Sequence, residues 1–145
     1  MNFILNIIWI ILGGLEMAVG WLVAAFFFAI SIVGIPWARA AFNMAIFYLW
    51  PFGREIVDRE DMTGRDDLGT GGLGLLGNII WFVLAGWWLA LGHLFFAGLL
   101  AVTVIGIPFA WQHVKLAGMA LAPVGKMVVD KNVAVYGRHP AMTGR

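Results

Sequence analysis

Two ionisable side chains interrupt stretches of the sequence that are otherwise apolar. Glu16 lies between Leu15 and Met17 in the first long apolar run, and His93 lies at a comparable depth in the second. A charged carboxyl group in hydrocarbon is costly unless it faces a partner, a wet cavity or another subunit, and an imidazole can relay protons near neutral pH. Glu16 and His93 are therefore candidate residues of a pore or ion site. The structural alternative is that each packs or hydrogen-bonds against a neighbouring helix.

A second candidate site is cationic. Arg39 and Asn43 are four residues apart, so they share one face of a helix. Trp111 and Lys115 occupy the equivalent positions in the second half of the chain. These four residues predict a site for an anion or a lipid headgroup. The structural alternative is that the long cationic side chains extend to the membrane interface without binding a specific ligand.

Composition points to the bilayer as the solvent of this chain. Of its 145 residues, 62% are hydrophobic and only 12% are charged, and the mean hydropathy is +0.91. Soluble domains are typically about 45–50% apolar and about 25% charged. The chain has no cysteine and a net charge of +1, which argues against thiolate metal sites and nucleic-acid binding. We predict no catalytic residues, no metal, no cofactor and no enzymatic activity.

The sequence is duplicated internally. Residues 6–57 align with residues 78–129 without a gap, at a constant offset of 72 residues. The motif from Asn6 to Trp9 recurs from Asn78 to Trp81, and Gly-Ile-Pro occurs at equivalent positions in both halves. A fixed-period repeat indicates two copies of one structural unit.

Each unit has the same order of segments, which predicts an all-α integral membrane protein. A long apolar run (7–33 and 79–105) leads to a helix break, and a shorter apolar segment follows (37–50 and 109–122). The break is expected because proline removes a backbone donor and clashes with the preceding turn. The breaks are assigned to Gly34, Pro36, Gly106 and Pro108. The predicted divisions are a first repeat (1–57), a glycine-rich polar linker (58–77), a second repeat (78–130) and a polar tail (131–145).

Two membrane topologies fit this order. In the first, which we favour, all four segments span, and the linker and both termini share one side with most basic residues. The positive-inside rule then places that side in the cytoplasm. In the second, only the long helices span, the shorter segments lie in the interface, and the two units are inverted relative to each other.

The repeated motifs resemble the YccF family, small bacterial inner-membrane proteins with two tandem YccF domains. The resemblance rests on Asn-Ile-x-Trp, on Gly-Trp-Trp-Leu with His93, on Ile-Gly-Ile-Pro and on Leu-x-Pro-x-Gly, and it covers about residues 6–130. The first unit departs from the second, because Glu16 replaces a tryptophan and Trp21 replaces the histidine. The resemblance implies a multi-pass protein of the bacterial inner membrane, and it implies no chemistry.

The leading functional hypothesis is a homo-oligomeric channel or conduit for an ion or small solute. It rests on Glu16 and His93, on the duplication, and on a chain too short for a self-contained transporter. The alternatives are a membrane scaffold or accessory subunit that does not transport, and a protein that binds lipid or anions through Arg39 and Lys115. In each case the expected partner is the lipid bilayer.

Overall fold

The structure, a computed structural model, describes residues 1–32, 34–65 and 69–133. The chain is mostly helical, with one short pair of strands. In the first repeat the elements are α1 (Asn2–Trp9), a π-helical turn (Ile10–Gly14), α2 (Leu15–Ile30), α3 (Ile35–Leu49), β1 (Arg54–Asp58) and α4 (Arg59–Thr63). In the second they are α5 (Gly71–Trp81), a π-helical turn (Phe82–Gly86), α6 (Trp87–Ala101), α7 (Ile107–Leu121) and β2 (Lys126–Asp130).

Each repeat folds into a helical hairpin that reverses at the predicted break. Gly34 and Gly106 precede the second helix of each hairpin, and a proline occupies the first turn of that helix, where its missing N–H is not needed. The backbone N–H of Gly34 donates to the Ser31 hydroxyl, and that of Gly106 donates to the Thr103 hydroxyl. The break therefore acts as a tight reversal that satisfies its own hydrogen bonds.

An asparagine clasp closes the open end of each hairpin. The Asn6 amide donates to the Phe52 carbonyl and accepts from the Phe52 N–H. Asn78 makes the same two bonds with Val124. The two halves thus share hydrogen bonds as well as sequence, at the same offset.

Buried tryptophans make the second repeated link. The Trp9 indole N–H donates to the Tyr48 carbonyl at 2.7 Å, and the Trp81 indole donates to the Ala120 carbonyl at 2.8 Å. Both carbonyls belong to the last turn of a helix, where no intrahelical donor is available. Each indole therefore links the C-terminal end of the second helix of its hairpin to the first helix by a hydrogen bond.

The long helices of the two repeats run in opposite directions. As residue numbers rise along the first long helix, the numbers of the residues contacted on the second long helix fall. Gly13 faces Phe96, Gly20 faces Leu89, and Phe28 packs on Trp81. The turn of the first hairpin consequently lies beside the open end of the second. Trp37, just after the first turn, faces Gly77 near the second clasp.

The two strands show the same symmetry. β1 and β2 pair antiparallel, and Ile56 lies opposite Val128, its equivalent in the other repeat. Paired residues project from the same face of a sheet, so the pseudo-twofold axis passes through this pair at right angles to the sheet. Ile56 and Val128 pack against the buried core, which places the helices on one side of the sheet.

The contacts between the long helices bear on the two predicted topologies. The repeats run in opposite directions, a relation that the second topology included, while four spanning segments stay a prediction. The all-α prediction omitted the strand pair, which forms between segments about 70 residues apart.

Aromatic rings fill the interface between the repeats. Trp21 stacks between Trp81 and Tyr48, with ring centroids 4.8 and 4.7 Å apart. Tyr48 packs in turn on His93, and its hydroxyl donates to the Leu116 carbonyl of α7. The described core is therefore closely packed along its length.

Candidate functional site: two basic grooves and a buried histidine pair

A basic groove of about 660 Å³ separates α3 from the sheet. Arg39 reaches it from α3, while Arg54, Arg59 and Lys126 reach it from the strands and the start of α4. Asp130 is the only carboxylate among the residues that line it. Four cations and one anion make this groove strongly positive.

A second basic groove of about 460 Å³ lies on the α7 side of the sheet. Lys115 reaches it from α7, and Arg54 and Lys131 reach it from the strand region, with Glu55 as the carboxylate. Arg54 therefore lines both grooves. The pseudo-twofold symmetry accounts for the pair, with one groove between α3 and β2 and the other between α7 and β1.

Several of these cations have no protein partner. Lys126 pairs with Asp58 at 2.6 Å. In the described ranges, by contrast, the side chains of Arg39, Arg54 and Lys115 make no hydrogen bond or ion pair. Arg39 and Arg54 in the first groove, and Arg54 and Lys115 in the second, thus have no counterion among the described residues. Such cations attract an anion, and guanidinium groups match the geometry of phosphate oxygens.

The predicted cationic set is divided by the structure. Arg39 and Asn43 line the first groove, and Lys115 lines the second together with Gln112. Trp111 is 63% exposed and is not among the residues lining either groove. Sequence spacing predicted one site for these residues, whereas in the structure they line two grooves. Residues of the strands complete each groove.

His93 and His113 form a fully buried pair between α6 and α7. Their Nδ1 atoms are 2.9 Å apart, and His113 Nε2 lies 3.2 Å from the Leu12 carbonyl. Because a carbonyl only accepts, His113 Nε2 carries a proton, and a neutral His113 must then accept at Nδ1. His93 accordingly donates from Nδ1, and its Nε2 is a bare acceptor with no partner in the described residues. These tautomers are assigned from the hydrogen-bond partners.

A local break in the first long helix supplies the carbonyl of this network. Leu12 departs from helical geometry, and Gly13 adopts a φ of 106°, which glycine tolerates because it has no Cβ. The break removes the Leu12 carbonyl from the regular helical ladder, so it needs another donor. His113, from the opposite repeat, provides one.

Glu16 does not share an enclosed site with His93. It lies in the first turn of α2, directly after the break, and its side chain is exposed. The positive end of a helix dipole favours a carboxylate there, and His113 is within its electrostatic reach. The pore site predicted from Glu16 and His93 remains a hypothesis, since one group faces outward and the other is 0% exposed.

Sequence reasoning underestimated His113 and the strand cations. Gln112 and His113 form a polar pair inside an apolar segment, and that pair was the available signal for a buried network. Arg54 and Lys126 follow the second helix of each repeat. Their role in the grooves depends on a strand pairing that no local pattern specifies.

Charge is segregated over the whole described molecule. Cations lining the grooves account for all but one of the described arginines and lysines, and Arg65 is the exception. Large exposed apolar side chains instead follow both long helices, from Phe3 to Ile30 and from Leu73 to Leu99. The segments Asn2–Ile30 and Gly71–Ala101 are each long and apolar enough to cross a membrane, by length and composition.

Comparisons with known proteins give the family. The domain family YccF, described as an inner membrane component domain, matches residues 4–54 and 76–126. The Escherichia coli and Shigella flexneri proteins named inner membrane protein YccF are each 36% identical over 141 residues, covering 95% of this chain and 94% of the relative. No solved structure matches. The two family matches, one per repeat, and the identity to these relatives show that this chain belongs to the YccF family of inner-membrane proteins.

Proposed function

We propose that the chain is an inner-membrane protein that binds phosphate-bearing anions, of the kind carried by phospholipid headgroups, in the grooves beside the sheet. The observation that supports this proposal best is that the cations Arg39, Arg54 and Lys115 have no partner among the residues that the structure describes. A cation without a counterion in a partly enclosed groove gains more from an anionic ligand than a fully solvated one does.

The shape of the first groove suits a headgroup. The apolar residues Met44, Ile46 and Phe47 line it together with the cations, so a ligand with a charged end and an apolar body contacts both kinds of surface. Asn43 adds an amide that can donate to a phosphate oxygen. A free phosphate ion would use only the charged part.

Binding of anionic phospholipid to the purified protein, measured by native mass spectrometry, tests the proposal. Each basic residue near an anionic lipid surface contributes about 1 kcal/mol, so Arg39→Gln with Arg54→Gln should weaken binding about 30-fold. Arg65→Gln is the matched control, because Arg65 lies outside both grooves, and it should change binding little. Equal losses in the double variant and in the control would show diffuse electrostatic attraction in place of a site.

Competition with inorganic phosphate separates two sources of the same chemistry. If phosphate displaces the lipid at comparable concentration, the ligand is a free anion. If it does not, the acyl chains contribute to binding and the ligand is a lipid. A double variant that binds both ligands as well as the wild type does would refute the proposal.

One observation favours the conduit hypothesis as a second candidate. The carboxyl group of Glu16 is exposed beside apolar helix surface. If a second copy of the chain covered this carboxyl group, the free-energy cost of holding it in the membrane would fall. Rings fill the described core of a single chain, so this conduit would run between copies. Reconstituted protein should then pass ions, and Glu16→Gln should change the flux. Tight liposomes containing strictly monomeric protein would contradict this candidate.

A further inference from the structure

We infer that both helical hairpins lie side by side in one leaflet with their axes close to the membrane plane, so that neither turn reaches the opposite surface. This inference does not depend on phosphate binding. It rests on the composition of the turns, the position of the sheet and the antiparallel contacts between the long helices.

The hairpin turns are apolar and exposed. Ile32 is 78% exposed in the first turn, and Val104 and Ile105 are 85% and 79% exposed in the second. Neither turn contains a charged residue. A loop that emerges into water normally carries polar residues, whereas these turns present branched aliphatic side chains outward.

The turns also satisfy much of their backbone internally, as hydrocarbon requires. In the first turn, the N–H groups of Ser31 and Ile35 donate to the carbonyls of Phe27 and Ile32, respectively. The Ser31 hydroxyl accepts a hydrogen bond from the Gly34 N–H. The second turn repeats the pattern with three backbone hydrogen bonds. The N–H groups of Thr103, Gly106 and Ile107 donate to the carbonyls of Leu100, Thr103 and Val104, respectively. Such self-contained reversals are suited to immersion in lipid.

The sheet fixes the direction of the membrane. If the pseudo-twofold axis lay in the membrane plane, the sheet would sit at the level of the bilayer centre. Its strands are five residues long, about 17 Å, and their ends carry Arg54, Asp58, Lys126 and Asp130. All of these charges would then fall within a hydrocarbon core about 30 Å thick. With the axis along the membrane normal, the sheet lies flat on the surface and every groove cation faces water.

The antiparallel repeats support the same placement. Two helices that run in opposite directions and are related by a twofold axis along the membrane normal must lie close to the membrane plane. Because the repeats are antiparallel, their turns project toward opposite sides of the molecule, beneath a shared polar face. The exposed apolar surface of the long helices then contacts acyl chains of the leaflet below. The positive-inside rule assigns the polar face to the cytoplasm.

Cysteine accessibility tests this inference directly, because the natural chain contains no cysteine. Single variants Ile32→Cys and Val104→Cys place a thiol in each turn, and Thr63→Cys places one on exposed α4 as the matched control. A membrane-impermeant maleimide is applied to right-side-out and to inverted vesicles. The control should react from one side only, and the two turns should react from neither side until detergent is added.

Each outcome decides the question. A turn that reacts from the face opposite to Thr63 spans the bilayer, and a turn that reacts from the same face lies at the surface, so either result overturns the inference. If a turn thiol stays unreactive even in detergent, quenching of a bimane on that thiol by lipid-borne nitroxides gives its depth. Quenching strongest by nitroxides on the acyl chains supports the inference, and quenching strongest at the headgroups contradicts it. Loss of phosphate binding would leave these results unchanged.

Discussion

The hydrogen-bonded chain from Leu12 through His113 to His93 predicts a strong thermodynamic coupling between the two histidines. His113→Phe keeps a ring against Trp9, whose centroid is 4.2 Å from that of His113, and removes both hydrogen bonds. It leaves the Leu12 carbonyl and His93 Nδ1–H buried without partners, each costing about 1–3 kcal/mol. The expected loss in free energy of unfolding is about 3–5 kcal/mol.

The second variant and the double variant complete the cycle. His93→Phe removes one hydrogen bond and leaves one buried acceptor, His113 Nδ1, without a donor. The expected loss in free energy of unfolding is about 1–3 kcal/mol. In the double variant only the Leu12 carbonyl lacks a partner, so its loss is about 2–4 kcal/mol, less than the sum of the single losses. The coupling, by which the double variant's loss falls short of the summed single losses, should be about 2–4 kcal/mol, larger than most hydrogen-bond couplings in membrane proteins.

Equilibrium unfolding in mixed micelles with increasing sodium dodecyl sulfate, followed by tryptophan fluorescence, measures these differences. Trp111→Phe, on the same helix but 63% exposed, is the matched control and should change stability little. If the two histidine losses add within about 0.3 kcal/mol, the rings are merely packed side by side and the network described above does not exist.

Two further sets of substitutions probe the break and the clasps. Gly13→Ala should destabilise the fold by about 1–3 kcal/mol, because the position needs a positive φ and a Cβ would lie 2.6 Å from the Phe96 ring; Gly98→Ala, in open space within α6, should be neutral or stabilising in the same unfolding assay. Asn6→Leu and Asn78→Leu should each lower the free energy of unfolding by about 1–3 kcal/mol, and by similar amounts because the clasps are equivalent. A loss in only one of these variants would show that equivalent contacts do not contribute equally to stability.

The sequence predicted the parts of the fold that are local or repeated. The helix reversals follow from Gly-Ile-Pro, since proline both ends one helix and starts the next. The constant offset predicted two equivalent units, and the equivalent bonds of Asn6 and Asn78 are consistent with it. The predicted membrane character agrees with the YccF family matches and with the exposed apolar helix surfaces.

Features that depend on contacts between the repeats could not be predicted. Each strand has only five residues, with charges at its ends, so neither shows a clear alternating pattern. The orientation of the repeats depends on small residues such as Gly20 and Gly92, which let side chains of the other helix approach. Basic residues favoured the four-span topology, which stays a prediction, because the positive-inside argument counted them along the sequence. The grooves that collect all but one of the described cations form only once the strands pair.

Spin-label distances between the repeats test the central claim most directly, because the account requires oppositely oriented hairpins under one polar face. Labels at Ile32 and Val104, equivalent positions in the two turns, should be at least about 20 Å apart, the length of the hairpin that separates them. Labels at Ile30 and Ile79, near the turn of one hairpin and the open end of the other, should be much closer. A short distance between the two turns, with a long one between Ile30 and Ile79, would contradict the account.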